Sequence, residues 1–244
     1  MLALLMAIMV RLGQAAPVPL YLRFQEEART ALDSLSQVGD TTGMAQLIVL
    51  HNLAFHHYPD SRDQAERLLK KSFKHDTTTL VQAYRGSLAM IKVSDRGKAG
   101  NALRGIGKLF GVSGSAYDEA RDGFKKITEA LIRDSLGGHH QVQLRLIRAT
   151  AAAEALGFLP ELMDEATADL TWLQEHVPQS DSAVYFFVQL TWAKYYYAAS
   201  QSALYPPIQT VLLRESKRYL AIAYPSAVSP VLLREYIFWL TRVG

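Results

Sequence analysis

The sequence predicts an all-α protein built as an array of antiparallel helix pairs, and three observations carry that expectation. A phrase recurs along the chain, an alanine followed four positions on by a large apolar residue and three further by another core-type residue. It appears at Ala28-Leu32-Leu35, Ala65-Leu69-Ser72, Ala120-Phe124-Ile127 and Ala166-Leu170-Leu173. Four-then-three spacing keeps the three side chains on one helical stripe, and the alanine admits a neighbouring helix at close range. Proline and glycine punctuate the chain so that short turns separate apolar-periodic stretches, which favours antiparallel neighbours. No segment sustains the alternation with β-branched residues that a strand requires. The alanines lie 37, 55 and 46 residues apart, an irregular interval that marks a degenerate array, a scaffold type that holds other molecules.

At the N-terminus, Met1 to Val10 is wholly apolar, Arg11 and Leu12 follow, and Gly13-Gln14-Ala15 places small residues ahead of Pro17 and Pro19. An apolar run this short falls below the ~20 residues a bilayer requires and reads as a secretory signal over 1–15, although no Lys or Arg precedes it. The expectation is an exported, periplasmic protein, or a cytoplasmic one if 1–15 is retained. No later stretch is apolar enough to span a membrane.

Residues 16–244 then read as a single helical-repeat domain. A first helix is expected over about Leu20 to Val38, ended by Gly39, and a second over Thr42 to His57, closed by Tyr58-Pro59-Asp60. Ser61 is the expected cap of a third from Arg62 to His75, with Asp63 and Gln64 in its first turn. A fourth runs from Thr79 to Val93. Glycines at 97, 100, 105, 107, 111 and 114 make 94–114 a predicted inserted loop with one weak turn near Leu103, Ile106 and Phe110. Its Gly105-Ile106-Gly107-Lys108 is not a phosphate loop: Ala102 stands five before Gly107, Leu109 follows the lysine, and no strand precedes. Further helices are expected from Ser115 to Ser135, His140 to Leu156, and Glu161 to His176 behind Pro160. After the reset at Pro178, Ser180 and Asp181 an aromatic-rich helix reaches Ser200, followed by helices from Ile208 to Tyr224 and from Pro230 to Arg242.

Composition excludes several functions. The 244 residues include no cysteine, so disulfides, thiol catalysis and cysteine zinc sites are ruled out. Lys plus Arg exceed Asp plus Glu by only 26 to 23, and Lys70-Lys71, Lys125-Lys126 and Lys217-Arg218 are dispersed among acids, against nucleic-acid binding. His56-His57 and His139-His140 are adjacent pairs, whereas ligands on one helical face stand three or four apart. No metal or cofactor is expected. Neither Gly111-Val112-Ser113-Gly114 nor Gly86-Ser87 sits at a strand-to-helix elbow, and carboxylate pairs such as Glu26-Glu27 fall on solvated helix faces. No catalytic residue is assigned.

Three phrases carry a family likeness: Leu80-Val81-Gln82-Ala83-Tyr84-Arg85-Gly86-Ser87, then Leu144-Arg145-Leu146-Ile147-Arg148-Ala149, then Leu159-Pro160-Glu161-Leu162 followed by Ala166 and Asp169-Leu170. In this order they resemble bacterial tetratricopeptide-like proteins of unassigned function, over roughly residues 60 to 175. The resemblance implies a right-handed stack of helical hairpins and no established chemistry. The chain departs from the strict repeat in spacing and in its glycine-rich stretch.

Two features mark a candidate binding surface. Arg145 and Arg148, three apart on a largely apolar helix, either hold a carboxylate or phosphate ligand or make internal ion pairs with Asp169 or Glu165. The aromatic helix carries two stripes, Tyr185-Trp192-Tyr196 and Phe186-Ala193-Tyr197, of which one is expected in the core and the other along a groove. A concave face would gather Tyr84, Arg145, Arg148, Trp192 and Tyr196. The expected function is a non-catalytic scaffold of the cell envelope that presents a helical groove to a protein or peptide. The alternatives are a carrier with an aromatic/arginine pocket for a small anionic or aromatic ligand, and a structural oligomer subunit.

Overall fold

The computed structural model describes residues 60–101, 114–156, 159–227 and 230–243, together with Gly43, Met44, Gln46, Leu47, Leu50 and His51. All of these belong to one compact unit, Asp40–Gly244. Among them every regular element is helical: α1 Ser61–Ser72, α2 Thr79–Asn101, α3 Gly114–Arg133, α4 Gly138–Ala155, α5 Met163–His176, α6 Ser182–Ser202, α7 Pro206–Ala223 and α8 Pro230–Val243. The expected signal at 1–15 and the first helix at Leu20 to Val38 lie outside the described residues.

Most boundaries follow the local chemistry that predicts them. Asp181 caps α6 by accepting from the Val184 amide at 3.4 Å, and Pro206 and Pro207 open α7, where their missing N–H groups have no intrahelical acceptor to lose. Pro160 begins a short 3₁₀ turn, Pro160–Leu162, that leads into α5. Gly137 and Gly138 both take positive φ, 63° and 53°, and turn the chain from α3 into α4.

Two expectations are corrected. The stretch 94–114 is not a loop throughout, because α2 continues to Asn101 and α3 already begins at Gly114; residues 102–113 lie outside the described residues. Gly97 and Gly100 each weaken a helix by about 1 kcal/mol, but no proline intervenes, and extension of an existing helix avoids the nucleation barrier. At α1, the residue before the helix is Asp60 in the left-handed conformation at φ 62°, with no capping side-chain bond, and Ser61 is the buried first helical residue.

The recurring phrase finds its core. Ala65, Ala120 and Ala166 are fully buried, as are Ile127, Leu170 and Leu173. Ser72 departs from the pattern: it is exposed, and Phe73 beside it is buried instead. The tightest seam joins α2 to α3, where a Cβ on Gly86 would stand 2.3 Å from the Gly123 carbonyl oxygen and one on Gly123 would stand 2.7 Å from that of Gly86. Lys92 reaches Glu119 at 3.7 Å while Gly86 meets Gly123, so the two helices run in opposite directions. The same reversal holds for α4 against α5 and for α6 against α7. At the C-terminal end Phe186, Leu190 and Ala193 of α6 pack with Leu220 of α7 and Tyr236 and Trp239 of α8.

Candidate functional site

The arginine pair is engaged inside the protein. Asp169, with no exposed surface, accepts from Arg145 Nη1 at 2.8 Å and from Arg148 through both Nε at 2.6 Å and Nη2 at 2.9 Å. The two-point contact matches the planar guanidinium fork to the carboxylate, a geometry that a lysine cannot reproduce. The Arg145 guanidinium also lies 4.6 Å from the Trp172 ring centre. Of the two readings the spacing leaves open, this geometry is the internal clasp, joining α4 to α5.

Tyr84 is likewise interior. It packs edge-on against His51 at 4.6 Å, and burial pushes its phenol well above the ordinary value. His51 Nε2 stands 2.8 Å from Ser87 Oγ, and both residues are buried. Tyr84, Arg145, Arg148 and Trp192 therefore do not share one surface. Among the five expected site residues, Trp192 and Tyr196 are the two brought together at an opening.

That opening follows from how α6 divides its aromatics. Phe186, Ala193 and Tyr197 turn toward α7 and α8, while Trp192 and Tyr196 turn toward the space between α5 and α7. Both of those helices pack on α6 and leave a groove over it. Its cavity of ≈ 390 Å³ has Met163 and Thr167 of α5 on one side, Leu212 of α7 on the other, and Trp192, Tyr196 and Ala199 of α6 as floor. The size matches cavities that take a small ligand or an anchoring side chain.

The two floor rings stack with a third from α7. Trp192, Tyr196 and Tyr219 have centres 5.3 to 5.7 Å apart and planes within 21° of parallel. Tyr195 stands nearly perpendicular to both Trp192 and Tyr196. Its hydroxyl lies 3.0 Å from Thr167 Oγ1, which donates to the Met163 carbonyl oxygen and so presents its lone pairs to Tyr195. Partial burial raises the phenol pKa of Tyr196 and Tyr219, and Glu215 adds to the shift in both; each ring stays neutral near pH 7. Trp192 Nε1 is buried without a hydrogen-bond partner among the described residues, an unmet donor that a packed interior normally avoids.

Between the lining residues Ala203 and Leu212 the chain carries further apolar side chains. Leu204, Tyr205, Ile208 and Val211 are all large and exposed, Leu204 completely. The aromatic content of α6 signals the floor in the sequence, but the walls were missed. Met163 and Leu212 belong to helices distant in sequence from Trp192, and Tyr219 is one of several aromatics in the chain. No protein-family model, curated protein or solved structure matches this chain. Among the described residues no group of His, Asp or Glu is arranged to hold a metal ion, and no helix is long and apolar enough to cross a membrane.

Proposed function

We propose that the protein is a non-catalytic scaffold of the tetratricopeptide-like kind, a right-handed stack of antiparallel helix pairs exported to the cell envelope, whose α5–α7 groove receives a protein or peptide. The observation that carries this reading is that Leu204, Tyr205, Ile208 and Val211, all exposed, lie in the chain between Ala203 and Leu212, which line the aromatic-floored cavity. Four large exposed apolar residues within eight positions, adjoining an open cavity, form the kind of contiguous patch that marks an interaction surface. Export rests on the apolar run at 1–10 and the small residues before Pro17.

The test is site-specific photo-crosslinking in the native host. A crosslinker at Ile208 is expected to capture a discrete partner that a crosslinker at Ile132, an exposed apolar residue on α3, does not. Equal capture at both positions would remove the groove from consideration.

The aromatic floor of the ≈ 390 Å³ cavity favours a second reading, a carrier for a small aromatic ligand. Extraction of the purified protein followed by mass spectrometry separates the two. A stoichiometric small molecule supports the carrier.

A further inference from the structure

We propose that the groove is covered by a second copy of this chain, related by a two-fold axis, with Leu204 of each copy seated in the Trp192 cavity of the other. The proposal rests on the reading of the groove as a docking site and names its occupant. Three arguments select a second copy.

The first is shape. One surface carries both a hole and a knob: the open cavity over Trp192 and Tyr196, and Leu204, whose side chain is completely exposed. Ala203 lines the cavity and Leu204 follows it directly, so hole and knob are neighbours. A two-fold axis between them exchanges the two knobs and fills both holes at once, which is the self-complementarity an isologous contact demands. The cavity, at ≈ 390 Å³, has room for a leucine side chain and for part of the Tyr205 ring beside it.

The second is charge. Residues near a two-fold axis meet their own copies, so any charge placed there faces an identical charge. Residues 195 to 213 contain no Asp, Glu, Lys, Arg or His, a longer run without these types than the next one, 219 to 233. Much of that stretch faces solvent, including Gln201, Leu204, Tyr205, Ile208 and Val211. On α7 the uncharged run ends at the exposed Arg214, and beyond it Glu215 and Arg218 pair with each other at 3.0 Å. Within 195 to 213 two such surfaces meet without like-charge repulsion, Arg214 is left to the rim, and the tyrosine-containing, charge-depleted composition is that of an interface core.

The third concerns the backbone. Among the described residues there is no strand and hence no sheet edge to pair with an extended peptide. An extended segment laid on this apolar floor would withdraw its amides and carbonyls from water without providing partners for them. A folded copy brings the α6–α7 corner with its helical backbone already bonded.

The experiment begins with sedimentation velocity of the full chain between ~1 and ~100 μM, the range in which a small interface is titrated. A monomer–dimer equilibrium is expected. Leu204→Glu, which removes the knob at a site that contributes no burial to the monomer, should weaken the dimer at least ~tenfold. Ala203→Trp, which fills the hole, should do the same. Because the chain has no cysteine, introduced thiols pair only where they are placed. Leu204→Cys mixed with Met163→Cys should give a disulfide-linked heterodimer under mild oxidation, whereas Leu204→Cys mixed with Ile132→Cys should not.

A monomer at every concentration overturns the second copy. The Ile208 crosslinker then separates the two claims, since capture of a different protein leaves the docking site standing and capture of nothing removes it as well. A dimer indifferent to both Leu204→Glu and Ala203→Trp, with both variants folded by circular dichroism, lies elsewhere on the molecule and overturns the proposal. Sensitivity to Leu204→Glu alone, without the 204–163 crosslink, overturns the insertion of the knob into the hole.

Discussion

The α4–α5 seam and the α5–α7 groove share a helix and treat it in opposite ways. Toward α4, helix α5 presents Ala166, Asp169, Leu170 and Leu173, all fully buried, and the seam is clasped by one carboxylate between two guanidinium groups. Toward α7 it presents Met163 and Thr167, which face it across a cavity floored with aromatic rings. Small and precisely partnered residues draw helices together; bulky rings on the intervening helix hold them apart. The difference separates a closed seam from an open groove within 14 residues of one helix, because a seam filled to contact has no space for a ligand and a space left open forfeits its packing energy.

The largest effect that would break this contrast lies at Asp169. Asp169→Ala leaves two mostly buried guanidinium groups without their carboxylate, and loss of one member of a buried ionic cluster costs about 3–5 kcal/mol. Urea denaturation should show that loss in full. A cost under ~1 kcal/mol would mean that water already reaches the clasp and that α4–α5 is as open as the groove.

The α2–α3 seam extends the contrast to a pair closed by the absence of side chains. Gly86→Ala would place a methyl 2.3 Å from the Gly123 carbonyl oxygen, and backbone cannot swing aside as the end of a side chain can. Overpacking of this kind costs about 1–3 kcal/mol, read as a fall in the urea midpoint with m unchanged. Wild-type stability would show that α2 and α3 slide freely past each other.

A smaller effect is expected at the α3–α4 turn. Burial acts to raise the Asp134 pKa, but hydrogen bonds from Gln141, His140 and the Gly137 amide outweigh it, and the net shift is downward from 3.8. A carboxylate with a depressed folded pKa contributes stability that is present above its unfolded value and is lost as pH falls through the folded one. The turn should therefore hold at neutral pH and loosen below about pH 4. Hydrogen exchange at the Gly137 amide, corrected for its intrinsic pH dependence, should lose protection there in the wild type and lack it already at pH 7 in Asp134→Ala. Protection that ignores pH in both proteins would detach Asp134 from the turn.

How much of this was legible in the sequence follows from the range of each interaction. Pro160, Pro206 and Asp181 act within a turn of helix, and they locate the element starts to within about two residues, α5 beginning at Met163 rather than Glu161 and α7 at Pro206 rather than Ile208. The alanine phrase places Ala120 and Ala166 in the core because helical periodicity is local too. Asp169 is one of two acids in reach of the arginine spacing, and the geometry selects it. Tyr84 stands for the opposite case: a phenol on an amphipathic helix fits a concave surface and a core equally well, and only packing against His51 decides. The helical extension to Asn101 escaped because glycine frequency measures propensity, while helix length depends on whether a neighbouring turn is already formed. The groove walls are beyond any local pattern, since Met163 and Leu212 lie 49 positions apart.

The smallest stability effect is expected where the functional effect is largest. Ile208 and Val211 are about half exposed, 52% and 47%, so each owes little folding energy to the area it buries within one molecule, and surface changes of this kind fall within about 0.5 kcal/mol. In dilute solution the double substitution Ile208→Ser/Val211→Ser should leave the melting temperature nearly unchanged while reducing retention on a hydrophobic-interaction column. At higher concentration the wild type should melt later and the variant should not, because association stabilises the folded chain by mass action. The open side of α5 is on that outcome a seam as well, closed between molecules as α4–α5 is closed within one, and the two faces of the helix differ in the order in which they are covered. A large loss of stability in the dilute variant would mean instead that Ile208 and Val211 are packed inside a single molecule. The groove would then be shut from the start, and α5 would have two architectural faces and no functional one.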